Sequence, residues 1–289
     1  MASMRDIKRR KESITSTSQI TKAMKLVATV KLQKAKSRAE ESKPYFKLMY
    51  DTVRSALGNS ENIDHPYLRL REREGEVKRG VILISSNRGL AGGYNANIVK
   101  LITKGDFSPE NTIIYPVGRK GRDIVIRSGY TCDGDYSEII NEPLFTDAVD
   151  LGNHLLKDYE DGKIDEIYVA YTDFKNTVKH IPTLTKLLPV SQEKIGQDTV
   201  EKLEAPMNYE PNEETALDTI IPLYINSLIF CALVEAVASE NGARMQAMDS
   251  ATNNAEDMID ALELQYNRAR QSSITQELTE IVAGASAIE

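Results

Sequence analysis

The stretch with the strongest claim to chemistry is Ser85-Ser86-Asn87-Arg88-Gly89-Leu90-Ala91-Gly92-Gly93-Tyr94-Asn95. It follows Val81-Ile82-Leu83-Ile84, an apolar run that reads as a buried strand, and it opens a helix expected to continue through Ile102. A glycine-rich turn between strand and helix is the setting of a phosphate-binding loop. Backbone N–H groups at the helix start hold the anion there, and Arg88 is placed to assist. The glycine spacing matches neither the dinucleotide fingerprint nor the P-loop, which also requires Gly-Lys-Ser/Thr. No carboxylate stands where a ribose ligand belongs. The plainer reading, a tight turn in which Gly93 lets the helix pack close to the sheet, is therefore preferred.

Other reactive groups are few. His65, His154 and His180 show no metal-ligand spacing, and all three are expected at the surface. Cys132 sits among polar neighbours and Cys231 in an apolar stripe, with no activating base beside either and no disulfide framework. No Gly-x-Ser-x-Gly elbow exists. No catalytic, cofactor-binding or metal-binding residue is assigned, and no cofactor is expected.

The elements around these residues fall into three regions. Residues 1–58 hold only Pro44 as a breaker before Gly58 and are rich in Lys, Ala, Met and Leu, so a long helix is expected. Ile7, Ile14, Thr21, Ala28 and Ala35 recur every seventh residue, with partial support from Met24 and Leu32, a narrow coiled-coil seam. Residues 75–205 alternate strand and helix. Strands are expected at 81–84, 112–117, 167–171 and 184–189, with a second helix at 121–127, giving a parallel or mostly parallel sheet covered by helices. Residues 212–289 are helical again, with Pro222 expected to end or kink the helix. Met245, Met248, Thr252, Ala255, Ile259, Leu262, Tyr266 and Ala269 step by threes and fours, as a coiled coil requires. Ser273, Gln276 and Glu280 then break the seam, so the last turns must leave the partner helix.

Charge links the two ends. Residues 1–58 carry 14 Lys and Arg against 5 Asp and Glu, whereas residues 206–289 carry 3 against 14. A basic helix by itself suggests nucleic acid. Here an acidic helix in the same chain is the simpler partner, and no nucleic acid is expected. Antiparallel pairing of the two terminal helices follows, because an insert of ordinary size brings its ends close together. Aromatics make up only 6% of the chain and Trp is absent, little bulk for one compact core and in keeping with an elongated molecule. Pro222, Asn226 and Glu235 interrupt the most apolar run, Ile220 to Val237, and no direct membrane span is expected.

Several stretches resemble the gamma subunit family of F-type ATP synthases. They are Ile20-Thr21-Lys22-Ala23-Met24-Lys25-Leu26-Val27-Ala28, the loop from Asn87 to Asn95, the segment Glu240 to Ala255, and Ile274-Thr275-Gln276-Glu277-Leu278-Thr279-Glu280-Ile281-Val282-Ala283-Gly284-Ala285. The last, with Thr, Glu, an acid and then Gly-Ala at fixed spacing, is the most specific. The resemblance spans essentially the whole chain in one order.

It implies an α/β protein in which an inserted Rossmann-like domain interrupts a long antiparallel coiled coil. It also implies a non-catalytic rotor shaft that links ion flow through a ring of c subunits to ATP synthesis or hydrolysis in a hexamer of three alpha and three beta subunits. The epsilon subunit is a further implied partner. Lys22, Met24, Lys25, Arg270, Gln271, Thr275 and Glu277 match family positions that touch the beta subunits, and Tyr209 and Glu210 match the foot on the c ring. Small residues near the end, Ala283, Gly284, Ala285 and Ala287, suit a tip that turns without locking. The cysteine-bearing regulatory insert of the chloroplast branch is missing, and the start does not read as a transit peptide. A bacterial source and a peripheral position on the cytoplasmic side of the cell membrane are expected. Two other readings stay open from the residues alone: a coiled-coil tether or adaptor with an α/β binding head, and a small α/β enzyme that uses the glycine loop.

Overall fold

The computed structural model describes residues 4–58, 65–68, 76–190 and 213–286, and these divide into two compact units. One comprises residues 29–243. The other pairs the start of the chain, up to Ala28, with its end, from Arg244. The first long helix, α1 (Met4–Gly58), and the last, α5 (Glu213–Ser286), each contribute to both.

The larger unit is built on five strands: β1 (Arg79–Ile84), β2 (Thr112–Val117), β3 (Thr131–Cys132), β4 (Glu166–Phe174) and β5 (His180–Leu188). Their order is β3-β2-β1-β4-β5. The first four run parallel, and β5 returns antiparallel to β4. Three shorter helices belong to this unit: α2 (Tyr94–Thr103), α3 (Arg119–Arg127) and α4 (Phe145–Glu160). Side chains alternate across the sheet, as strand geometry demands. Val81, Leu83, Ile114 and Ala170 face Ile98, Val99 and Ile102 of α2 and Val125 of α3. Ile82, Ile84, Tyr115, Val117, Ile167 and Val169 share the other core with Ala148, Leu151 and Leu155 of α4 and with Leu217, Ile221, Ile225, Ile229 and Leu233 of α5. The sheet is thus covered on both faces, the arrangement parallel strands require.

Two expectations need correction. The strand expected at 184–189 begins earlier and forms the edge strand β5, and α4 and the two-residue β3 add to the expected list. Pro222 does not end the last helix; α5 runs through it. Leu217, Ile221 and Ile225, at 0–1% exposure, lie on both sides of the proline and hold the helix against the sheet. Burying three such side chains at about 1.5–3 kcal/mol each outweighs about 3 kcal/mol for an interior proline. The same burial explains why α5 contains a window apolar enough, by length and composition, to cross a membrane.

A buried ion cluster closes one end of the sheet. Glu166, 6% exposed, accepts hydrogen bonds from Arg79 Nε at 3.1 Å, Lys186 Nζ at 2.6 Å and Tyr168 OH at 3.0 Å. Burial alone would raise its pKa, but the bonds from Lys186 and Arg79 outweigh burial and hold the carboxyl below the ordinary glutamate range. A depressed folded-state pKa means stabilisation that is present above the unfolded value and lost as pH falls through the folded one. Resistance to thermal unfolding is therefore expected to weaken as pH drops below 4.5, the ordinary value. Glu166→Gln should lessen that acid loss and lower stability at neutral pH by about 2–3 kcal/mol, because two partly buried cations lose their counter-charge. Melts from pH 3 to pH 7 on both chains measure this; identical neutral-pH stability would refute it.

In the smaller unit α1 and α5 pair antiparallel. Lys11 Nζ meets Glu263 at 3.1 Å, the Thr21 and Thr252 hydroxyls lie 2.8 Å apart, and Lys25 Nζ meets Asp249 at 2.5 Å. Numbers rise on one helix as they fall on the other. Attraction between the basic and acidic ends thus takes a definite form. Each exposed pair contributes little, about 0.2–1 kcal/mol.

Candidate functional site

The loop from Ser85 to Asn95 turns its polar groups onto itself and its neighbours. Ser86 N donates to Asn95 Oδ1 at 2.9 Å, Ser86 Oγ donates to the Arg88 carbonyl at 2.6 Å, and Asn95 Nδ2 donates to Ser86 Oγ at 2.7 Å. Asn87 bridges outward, donating to the Ser137 carbonyl at 2.7 Å and accepting from Arg119 N at 3.1 Å. Tyr94, at the start of α2, donates to the Ala236 carbonyl of α5 at 3.1 Å. The loop therefore joins elements of the fold. The glycines that allow close packing are also not the expected one. A Cβ on Gly93 would meet only Asn97 of its own helix, at 3.0 Å. One on Gly118 or Gly121 would strike Ser85 at 2.1 Å or 2.5 Å.

The histidines depart from their expected places. His65 is buried, with Nε2 3.0 Å from Asp218 and Nδ1 accepting from Tyr67 N at 3.2 Å. His154 and Asp158, one turn apart on α4, meet Asp133 after β3, and the three offer ligand atoms within 4.8 Å of one another. Spacing along the chain hides this cluster, because Asp133 comes from another element. Lys163 already supplies the positive charge, with Nζ 3.0 Å from Asp158 and also on Asp133. Burial opposes ionisation of Asp158, yet hydrogen bonds from Tyr115 and Lys163 prevail and keep its pKa below the ordinary value. The hydrogen bonds of Lys163 to Asp133 and then Asp158 raise its pKa against the opposing effect of burial. The cluster is a compensated ion network.

The remaining candidates lie on the paired helices. Ile7, Ser18, Thr21 and Ala28 of α1 and Met248, Thr252, Ala255 and Leu262 of α5 are buried, at 1–9% exposure. Lys22 is exposed, Met24 half-buried, and Lys25 half-buried beside Asp249. Arg270, Gln271, Thr275 and Glu277 are all exposed. Thr275 Oγ1 donates to the Gln271 carbonyl at 2.9 Å, and Glu277 accepts from Ser273 at 3.4 Å. From Ile274 to Ala283 every residue is exposed, so burial along α5 ends where the seam breaks. Ile274, Leu278, Ile281 and Val282 stand 49–67% exposed there. Tyr209, Glu210 and Ala287 lie outside the described residues.

This architecture defines a class: a coiled-coil protein whose first and last helices pair, with a Rossmann-like α/β fold between them in the sequence. Comparison with known proteins narrows it. The sequence model of the ATP synthase family matches residues 3–288. The ATP synthase gamma chain of Lachnoclostridium phytofermentans is 62% identical over 294 aligned residues, covering 100% of each chain. That of Alkaliphilus metalliredigens is 44% identical over 99% of each. Among solved structures, a chain of the Euglena gracilis mitochondrial ATP synthase (OSCP/F1/c-ring, rotational state 3) superposes with a TM-score of 0.67 at 19% identity, covering 99% of this chain and 94% of its own. A chain of the Tetrahymena thermophila mitochondrial ATP synthase central stalk and c ring gives 0.60 at 24% identity, covering 80% and 99%. At these identities the structures speak for the fold. The chain belongs to the ATP synthase gamma chain family.

Proposed function

We propose that this chain, without a catalytic site of its own, transmits rotation from an ion-driven c ring to a hexamer of three alpha and three beta subunits that makes or hydrolyses ATP. The observation that carries this reading is the helical stretch 274–281, where every residue is exposed and Ile274, Leu278 and Ile281 are apolar. A helical stretch exposed on every face calls for a sleeve. The hexamer supplies one. Lys22, Met24 and Lys25 on α1, and Arg270, Gln271, Thr275 and Glu277 on α5, contact the beta subunits. Lys25 does so from the edge of the seam. Basic side chains there attract acidic loops, and their exposure keeps the pull small. A deep well would stall rotation.

Residues 75–205 form the head that binds the epsilon subunit and rests on the c ring, with Tyr209 and Glu210 at the foot. Residues 1–58 and 212–289 form the stem. The chain sits peripherally on the cytoplasmic side of a bacterial cell membrane. Mixing it with matching alpha and beta subunits tests the proposal. One copy is expected in a stable seven-chain assembly with ATPase activity. Failure to join any alpha–beta assembly would overturn the assignment.

A further inference from the structure

The seam of the paired helices is polar where coiled coils usually draw their stability. In α1 the positions between the heptad residues Ile7, Ile14, Thr21 and Ala28 are Lys11, Ser18 and Lys25. Most buried seam positions are small: Ser18, Thr21 and Ala28 beside Ile7 on one side, Thr252 and Ala255 beside Met248 and Leu262 on the other. Small side chains fit against one another in many alignments, so packing by itself selects a register only weakly.

The polar groups do select one. The Thr21 and Thr252 hydroxyls face each other at 2.8 Å, at 8% and 6% exposure. Thr21 can also donate to the Ser18 carbonyl at 3.0 Å, and Thr252 to the Met248 carbonyl at 2.8 Å. Two hydroxyl protons have three bonds to choose from, so either hydroxyl can donate to its own helix while accepting the other's proton. The bond between helices persists in both states. Lys25–Asp249 on one side and Lys11–Glu263 on the other belong to the same alignment. Sliding α5 by one heptad in one direction sets Lys11 against Arg270 and Thr21 against Ile259. Sliding it the other way leaves Thr21 facing Met245. Either slip buries a threonine hydroxyl without its partner on the facing helix. A buried polar residue at a heptad position fixes register in this way at a cost in stability.

We propose that the Thr21–Thr252 hydroxyl pair, flanked by Lys25–Asp249 and Lys11–Glu263, is a register lock that fixes how far α1 stands along α5. A one-heptad slip would displace Lys22 and Met24 from Arg270 and Gln271 by about 10 Å along the axis. The lock thus holds the contact residues of both helices in one phase. Its purpose rests on the rotor reading; the alignment itself is a property of the chain.

Disulfide trapping in the full chain, with Cys132→Ser and Cys231→Ser, tests it. Ser18→Cys with Ala255→Cys reports the observed register, and Ser18→Cys with Leu262→Cys reports a one-heptad slip. The parent is expected to close only the first pair. Lys11→Glu with Lys25→Glu should lower that yield about fivefold, the effect of reversing two half-exposed ion pairs. Adding Asp249→Lys and Glu263→Lys should restore it. Thr21→Val with Thr252→Val keeps shape, removes the hydroxyls and should let the slipped pair form, whereas Thr21→Ser with Thr252→Ser should match the parent. An unchanged in-register yield in the glutamate and valine variants overturns the lock, as does no recovery in the charge-swapped chain. Because the chain is oxidised alone, failure here leaves the rotor assignment standing, and failure to assemble leaves the lock standing.

Discussion

An enzyme assembled with a chain that stops at Ala269 is expected to make ATP more slowly by about tenfold or more, while keeping its subunit stoichiometry. The deletion removes the stretch in which every residue from 274 to 283 is exposed. Ile274, Leu278 and Ile281 follow the i, i+4, i+7 spacing of one helix face, and all are exposed. Each is worth about 1.5–3 kcal/mol when buried in a sleeve, so their loss weakens the fit of the tip. The seam up to Ala269 remains, with Lys11–Glu263, Thr21–Thr252 and Lys25–Asp249 intact, so the shorter chain should still fold and pair. That separates this test from a folding defect. Synthesis and hydrolysis rates in the reconstituted enzyme, read beside thermal melts of the chain alone, decide it. A full synthesis rate from the truncated chain would show that the exposed stripe has no sleeve. Ile274→Asp with Leu278→Asp, which keeps the helix length and spoils only the apolar face, should reproduce most of the loss.

The seam of α5 was legible because its positions are apolar or small at regular steps, and its break at Ser273 coincides with the onset of full exposure. Its α1 half was harder to see. Lys11 and Lys25 occupy seam positions by lying along the helix and sending their ammonium groups to the facing carboxylates, which a hydrophobic pattern cannot register. Pro222 does not end α5 because propensity acts on one residue, whereas the burial that overrides it is shared along Leu217, Ile221, Ile225 and Ile229. Helix α4 was overlooked, although Ala148, Leu151, Leu155 and Tyr159 carry its spacing. Strand β3 has two residues and shows no pattern at all.

The candidate site was legible only in part. That the glycine loop is not a standard nucleotide loop follows from its spacing, but its joining role depends on Ser137, Arg119 and Ala236, which are distant in sequence. The same is true of Lys163 between Asp133 and Asp158. The residues proposed to contact the beta subunits carry no local signature of their chemistry. An exposed Arg270 or Glu277 looks like any solvated helix face, and only resemblance singled them out.

Replacing Gly118 by Ala is expected to destabilise the α/β unit by about 4 kcal/mol, more than any other single methyl group added to the sheet's helix-bearing loops. Gly118 caps the start of α3 at φ 109°, in the left-handed region. Its missing Cβ would lie 2.1 Å from the Ser85 carbonyl oxygen and 2.6 Å from the carbonyl carbon. These are backbone atoms, so no rotamer change relieves the clash. The surroundings are also fixed. Ser85 N donates to the Val117 carbonyl at 2.7 Å, its hydroxyl donates to the Gly118 carbonyl at 3.0 Å, and Gly121 N donates to that hydroxyl at 2.9 Å. Moving Ser85 away breaks the junction of β1, β2 and α3 at once. Gly129 supplies the control. Its φ is 88°, yet a Cβ there would meet nothing within 4 Å, so Gly129→Ala should carry only the conformational penalty, about 1–2 kcal/mol. Thermal melts should place Gly118→Ala about 10 °C below the parent and Gly129→Ala between the two. Equal melting points for both variants would mean that backbone conformation, and not the close approach of Ser85, sets the requirement for glycine at this junction.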